Sequence, residues 1–240
     1  MTVFLIFYIM KEKKVDNMDG KLIVIEGTDC SGKNTQSKLL TKKLQAMGLK
    51  AINLSFPMYD TPTGKIVGGA LLGRSEIGEC LFPEGPVMVD PKISGLLYAA
   101  DRKYNFPKIE SYLKEGYFVI LDRYVSSNMA HQGSKILDDE ERFNFFRWID
   151  KLEYWLLELP KPDYTIYLHV PFEITKELMK NRENLDLVEK NDDHLIRAER
   201  VYIELSELYH WSTIHCVEQE NNQLKTIEEI NNEIMDLILD

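Results

Sequence analysis

The stretch Leu22-Ile23-Val24-Ile25-Glu26-Gly27-Thr28-Asp29-Cys30-Ser31-Gly32-Lys33-Asn34-Thr35 decides the architecture. Its apolar opening is rich in β-branched residues and reads as a buried strand. A loop bounded by two glycines follows at once, and Gln36-Ser37-Lys38-Leu39-Leu40 then opens a helix. Strand, Gly-x4-Gly-Lys and helix in that order form a phosphate-binding loop. Gly27 and Gly32 let the backbone turn so that the N–H groups of Thr28, Asp29, Cys30 and Ser31 can face one anion. Lys33 adds a point charge for the outer phosphates, and the positive end of the helix faces the same place. Asn34 stands where a Ser or Thr hydroxyl usually meets magnesium, with Thr35 directly behind it. An amide oxygen can bind a hard cation too, so Mg2+ is still expected, with Asn34 as one ligand.

Bulk composition agrees with a soluble globular protein of this kind. The chain has 240 residues, 44% hydrophobic and 28% charged, enough for one sizeable core in a single domain. Its net charge of −10 argues against a polynucleotide or an anionic membrane surface as partner. Small phosphates remain compatible, because loop amides need no basic stripe. Cys30, Cys80 and Cys216 are odd in number and widely spaced, which suits neither a disulfide framework nor a zinc site. A reducing, cytoplasmic setting is expected. The apolar run at 3–10 is too short to span a bilayer, and its lysines follow rather than precede it. Residues 1–18 are therefore expected to be a disordered or dispensable leader, with residues 19–240 as the folded domain.

Apolar runs alternate with helical patterns, which predicts an α/β fold: a five-stranded parallel sheet flanked by helices. Expected strands are 21–26, 51–56, 117–121, 164–170 and 213–217. Leu39, Leu40, Leu44 and Met47 mark the buried stripe of the first helix, and Gly48 its stop. Ile93, Leu96, Leu97 and Ala100 define a further helical face. From 138 to 159 apolar residues occupy more than one face, among them Phe143, Phe146, Ile149, Tyr154, Trp155, Leu156 and Leu159. That pattern suits either a helix deep in the core or one shared with a second subunit. Ile227, Ile230, Ile234 and Leu237 fit a closing amphipathic helix.

Further groups fall where strands end, which is where open parallel sheets bind ligands. Phe56-Pro57-Met58-Tyr59 closes the second strand. Tyr98 and Arg102 lie four apart on one helix face, a flat ring beside a planar donor, as a nucleobase would require. The apolar strand ending in Asp122 resembles the acidic position of a magnesium shell, and Arg123 after it can grip a phosphate with two N–H groups. Asn128 and Gln132, four apart, supply donors and acceptors suited to a base edge, and His131 beside them could stack on a base or serve as an ordinary surface or core histidine. Lys176, Lys180, Arg182 and Glu183 belong to a polar segment, 176–193, that reads as a lid or as a solvated helix face.

Together these groups resemble the thymidylate kinase family, P-loop nucleoside monophosphate kinases. The resemblance runs from about residue 21 to the carboxyl end. It rests on the loop 26–33, Phe56-Pro57, Tyr98 with Arg102, and Asp122-Arg123-Tyr124 followed by Ser127 and Asn128. It implies transfer of the ATP γ-phosphoryl group to dTMP, giving dTDP, with magnesium as cofactor and a homodimer as the assembly. It implies that Asp29 positions the acceptor and that Phe56 and Tyr98 line the thymine pocket. Arg102 would bond the base and Arg123 the dTMP phosphate. Tyr59 would stand near that phosphate, and Tyr202 near the sugar. Some relatives carry a catalytic Arg within the phosphate loop, where this chain has Cys30. Others draw cations from the lid, which would fall to Lys180 or Arg182. Two alternatives stay open at this level: a kinase for another pyrimidine nucleotide or a deoxynucleoside, and an ATP-binding sensor that transfers nothing.

Overall fold

The computed structural model describes residues 20–180, 185–218 and 223–239. The expected leader, and Arg182 and Glu183 of the expected lid, lie outside the described residues.

Five strands form one sheet: β1 (Lys21–Glu26), β2 (Ala51–Ser55), β3 (Phe118–Asp122), β4 (Tyr164–His169) and β5 (Ser212–His215). All neighbours are parallel, in the order β2-β3-β1-β4-β5. Every expected strand is present, with ends displaced by at most two residues. The central strand β1 has an almost unbroken buried run, as its sequence demands, and its carboxyl end opens between β3 and β4.

Helices cover both faces. On one side α1 (Lys33–Ala46) and α8 (Ile227–Leu239) pack over Ile23, Ile25, Ile120, Ile166, Leu168 and Ile214. On the other lie α3 (Pro91–Lys114), α4 (Val125–Gly133), α5 (Asp139–Asp150) and α7 (Asp192–Leu208). These cover Leu22, Val24, Val119, Leu121 and Tyr167. The short α2 (Pro62–Lys65) passes into a π-helical turn at Ile66–Leu71, and α6 (Phe172–Met179) precedes the lid region.

Several expected apolar faces are corrected. Met47 is exposed because it is the cap residue beyond the last turn of α1; Gln36, Ser37, Leu40, Thr41 and Leu44 form the buried side. In α3, Ile93, Leu96 and Ala100 face outward. The inward side is Ser94, Gly95, Ala99, Asp101 and Arg102. Gly95 lets that side come close, since a Cβ there would meet Ile149 and Trp148 at 3.2 and 3.3 Å. The segment 138–159 is α5 continued by a π-helical turn at Lys151–Leu156. That change of period divides its apolar residues: Phe146, Ile149 and Leu159 are buried, whereas Phe143, Trp155 and Leu156 are exposed. In α8 the buried set is Ile230, Ile234 and Ile238, with Ile227 and Leu237 turned toward solvent.

Candidate active site

The carboxyl ends of β1, β2 and β3 open into one cavity of about 710 Å³, within the range of ligand pockets generally. Its floor is the loop between β1 and α1. Gly27 stands at φ 152°, and a Cβ there would meet Ser31 Oγ at 2.5 Å and Leu168 O at 2.8 Å. Only glycine fits that position. Gly32 and the non-glycine Cys30 also take positive φ, 87° and 62°, so the loop curls back on itself before the first helical N–H groups.

Lys33 is buried at the start of α1 and donates to Thr28 O at 2.5 Å. Burial and the neighbouring Arg123 pull its ammonium pKa down to about 8; Asp122, Asp29 and Glu26 work against that shift. The desolvation outweighs these three carboxylates, so a bound phosphate would further stabilise the ammonium. Asp29, Cys30, Gly32, Asn34, Thr35 and Asp122 line the cavity beside it. Thr28 and Ser31 are buried in the turn itself.

Arg123 is the hub of the opposite wall. Its backbone sits at φ 71°, an uncommon conformation for a side chain this large, and its N–H bonds Ile25 O at 3.1 Å. The left-handed step turns the guanidinium back across the phosphate loop. There it pairs with Asp29 and lies 3.3 Å from Gly27 O, 3.2 Å from Ser127 Oγ, 3.2 Å from His131 Nε2 and 3.3 Å from Tyr202 Oη. Burial opposes its charge, but Asp29 foremost, then Tyr202, Asp122 and Glu26, keep it firmly protonated.

A buried carboxylate that sequence reading gave no role supports this hub. Glu26 accepts from Tyr124 N (2.9 Å), Ser127 N (3.1 Å), Ser127 Oγ (2.6 Å) and Tyr202 Oη (3.2 Å). Burial raises its pKa, the hydrogen bonds resisting. Tyr202 is fully buried, stacked on Tyr167 and edge-on to His131. It touches Arg123 from behind and is absent from the cavity wall, unlike the sugar-side position the resemblance implied.

The far end of the cavity is lined by Phe56, Tyr59, Tyr98, Arg102, Ser127, Asn128 and His131, so the expected base-side residues converge. Phe56 precedes Pro57 through a cis peptide. Asp101, another residue missed in the sequence, pins this loop by accepting from Met58 N (2.9 Å) and Thr63 Oγ1 (2.8 Å). Tyr59 lies under the Arg74 guanidinium, 4.5 Å from ring to cation, and burial pushes its hydroxyl up to about 12. Arg74 lines the cavity too; the Gly-rich segment before it carried no signal of that. His131 stacks on His194 at 5.7 Å, and burial lowers both imidazoles, His194 to about 4. Neutral rings are therefore the resting state near Arg123.

The lid region differs from expectation. Lys176 pairs with Asp192, and Lys180 is exposed, bonded to Glu177 at 2.5 Å and outside the cavity wall. Among the described residues of the lid, those that face the cavity are Leu178, Asp186, Val188 and Glu189. Burial and Glu189 raise Asp186 to about 6.

A parallel sheet with a phosphate loop at its centre, and a second pocket facing that loop across an Arg–Asp pair, defines a P-loop phosphotransferase with a small-molecule acceptor. Comparison with known proteins narrows the class. The thymidylate kinase family model matches residues 25–230. A probable thymidylate kinase of Methanocaldococcus jannaschii is 34% identical over 92% of this chain and 95% of its own length. The thymidylate kinase of Brachyspira hyodysenteriae is 30% identical over 90% and 94% respectively. The solved structure of Candida albicans thymidylate kinase superposes with a TM-score of 0.67 at 27% identity, covering 91% of each chain. The chain belongs to the thymidylate kinase family and shares its nucleoside monophosphate kinase fold.

Proposed function

We propose that this cavity phosphorylates dTMP to dTDP with ATP as donor, and that its two ends divide the work. The observation that carries the proposal is Arg123, largely buried and held between the phosphate loop and the base-side pocket by Asp29 and Ser127. Two polyanions must meet end to end, so the dominant barrier is charge repulsion and alignment rather than bond chemistry. The loop amides of 27–33 and Lys33 hold the donor phosphates. Arg123 holds the acceptor phosphate, and Asp29 aims Arg123. A dTMP phosphate oxygen attacks the γ-phosphorus in line, and the bond to the β–γ bridging oxygen breaks. The attacking oxygen is already anionic, so no strong general base is needed. Phe56, Tyr98 and Arg102 with Asn128 and His131 seat the base, while Tyr59 borders the acceptor phosphate. Tyr202 acts through Arg123 and Ser127.

Magnesium fits this donor set. Among the described residues no cluster of three or more His, Cys, Asp or Glu side chains is arranged to hold a metal. Beside Lys33 the cavity instead offers the carboxylate of Asp122 and the Asn34 amide, while Asp29 is taken up by Arg123. That suits Mg2+, which binds through one or two protein oxygens plus substrate phosphates and water. When bound, it neutralises phosphate charge. Lys180 and Arg182 are the lid cations proposed for the transition state; Lys180 must swing inward from its pairing with Glu177 to serve.

Two further attributes belong to the proposal. Ile93 and Leu96 of α3, with Phe143, Trp155 and Leu156 on the segment 138–159, are large apolar side chains turned outward, and we take them as the subunit contact of a homodimer. Among the described residues no helix is long and apolar enough to cross a membrane, and Cys30, Cys80 and Cys216 are not joined by disulfides. Both fit the proposed cytoplasmic setting. The test is ADP release with dTMP, dUMP, dCMP, AMP and thymidine in turn. Formation of ADP with dTMP well above the others is expected; equal rates with AMP, or none with dTMP, would refute the acceptor.

A further inference from the structure

One buried carboxylate, Glu153, joins two residues of the base-side pocket, and this inference rests on that pocket receiving the acceptor's base. Glu153 sits in the π-helical turn after α5 and is completely buried. Its two oxygens take Nε and Nη2 of Arg102, the latter at 2.6 Å. One of those oxygens also accepts from Nδ2 of Asn128 at 2.9 Å. The second Asn128 N–H goes to Gly95 O at 3.1 Å. A carboxylate and a carbonyl can only accept here, so the Asn128 amide has one permitted orientation. Its nitrogen is fully committed, and its Oδ1 is the polar atom left without a partner in the chain. Asn128 is only 2% exposed, which makes an unsatisfied acceptor expensive until a ligand donates to it. Arg102 meanwhile keeps N–H groups beyond those bound to Glu153, and it too lines the cavity.

We propose that Glu153 is a specificity-determining positioning residue: by fixing Asn128 as acceptor beside Arg102 as donor, it sets the polarity of the base-reading edge. An oxo-pyrimidine offers N–H next to C=O along that edge and complements both groups. A 4-amino-pyrimidine offers a bare ring nitrogen next to NH2, and meets acceptor with acceptor and donor with donor. Glu153 touches no substrate; it acts through Asn128 and Arg102. A glutamine in its place presents one NH2 to this ring of donors. The conflict is relieved when Asn128 turns its amide over or Arg102 leaves its seat, and either change erases the polarity.

The experiment compares kcat/KM for dTMP and dCMP in the full-length wild type, Glu153→Gln and Glu153→Asp, with thermal melts alongside. The wild type should favour dTMP by about 100-fold or more, since mispaired buried groups discriminate strongly. Glu153→Gln should lower that ratio at least ~10-fold, through a raised KM for dTMP with kcat changed less. Glu153→Asp keeps the charge but withdraws the oxygens, and should fall between. A merely structural role would reduce both substrates alike. A folded variant with the wild-type ratio would overturn the role of Glu153, as would a wild type that uses dCMP as well as dTMP. A wild type inactive on every nucleotide would instead refute the acceptor reading beneath it.

Discussion

Replacing Arg123 probes the centre of the mechanism, and the structure sets the size of the effect. The Arg123 guanidinium stands between two expected anions, with its side chain 18% exposed and its charge secured by Asp29. One unit charge about 4 Å from a phosphate oxygen is worth about 4 kcal/mol at an effective dielectric near 20. Removal of a single preorganised donor in other enzymes costs roughly 3–4 kcal/mol, or about 10²–10³ in rate. Both routes lead to the same expectation for Arg123→Ala: kcat/KM for dTMP falls by about 10²–10³. The backbone angle supplies an internal control. At φ 71° alanine is as strained as arginine, whereas glycine relieves roughly 1 kcal/mol. Arg123→Gly should therefore melt higher than Arg123→Ala while losing the same activity. A coupled ADP-release assay over a dTMP series, with thermal melts on the same samples, reads both quantities. A folded Arg123→Ala enzyme within tenfold of wild-type kcat/KM would refute the reasoning, and so would activity that follows stability across the pair.

Other predictions follow from the same geometry. Lys33 titrates near 8 in the free protein, below its ordinary value of 10.5, so the folded state binds that proton more weakly than the unfolded chain. Its burial therefore lowers stability fully below pH 8, and the penalty fades as pH rises from 8 toward 10.5. Lys33→Met should melt higher at pH 7, by an amount on the order of 3 kcal/mol before packing differences, while losing kinase activity; a lower melting point would contradict the assignment. For the wild type, kcat/KM for ATP should decline as pH passes 8, and kcat at saturating ATP should decline later because bound phosphate holds the proton. Leu96→Glu should yield a monomer in sedimentation if the outward face of α3 is a subunit contact, and an unchanged sedimentation coefficient would exclude that face. Lys180→Ala combined with Arg182→Ala should lower kcat and leave KM for dTMP nearly unchanged; intact kcat would remove the lid as the source of the transition-state cation.

Much of this site was readable in the sequence because its signals are local. The phosphate loop is one contiguous run whose glycines, lysine and flanking apolar strand each have a single mechanical meaning. Asp122 and Arg123 end a strand, and strand ends at a parallel sheet point toward ligands. Tyr98 with Arg102, and Asn128 with Gln132, are neighbours by helical spacing, and all four reach the cavity. What escaped detection depends on pairing between distant segments. Glu26, Asp101 and Glu153 look like ordinary charged residues along the chain, yet each is buried by partners 30 or more positions away. Nothing nearby marks them. The apolar stripe Ile93, Leu96 and Ala100 misled for a related reason: a helix that packs through Gly95 and turns polar residues to a cavity leaves its apolar side outside. The lid carried cations in sequence, but among its described residues Asp186 and Glu189 face the cavity while Lys176 and Lys180 are engaged by neighbouring acids.

A crystal structure with dTMP and a non-hydrolysable ATP analogue bound together tests the central claim most directly. The account predicts Arg123 within hydrogen-bond distance of the monophosphate, with Lys33 on the donor phosphates and the two phosphate chains in line. A monophosphate seated away from Arg123, with that guanidinium still closed on Asp29 alone, would contradict it.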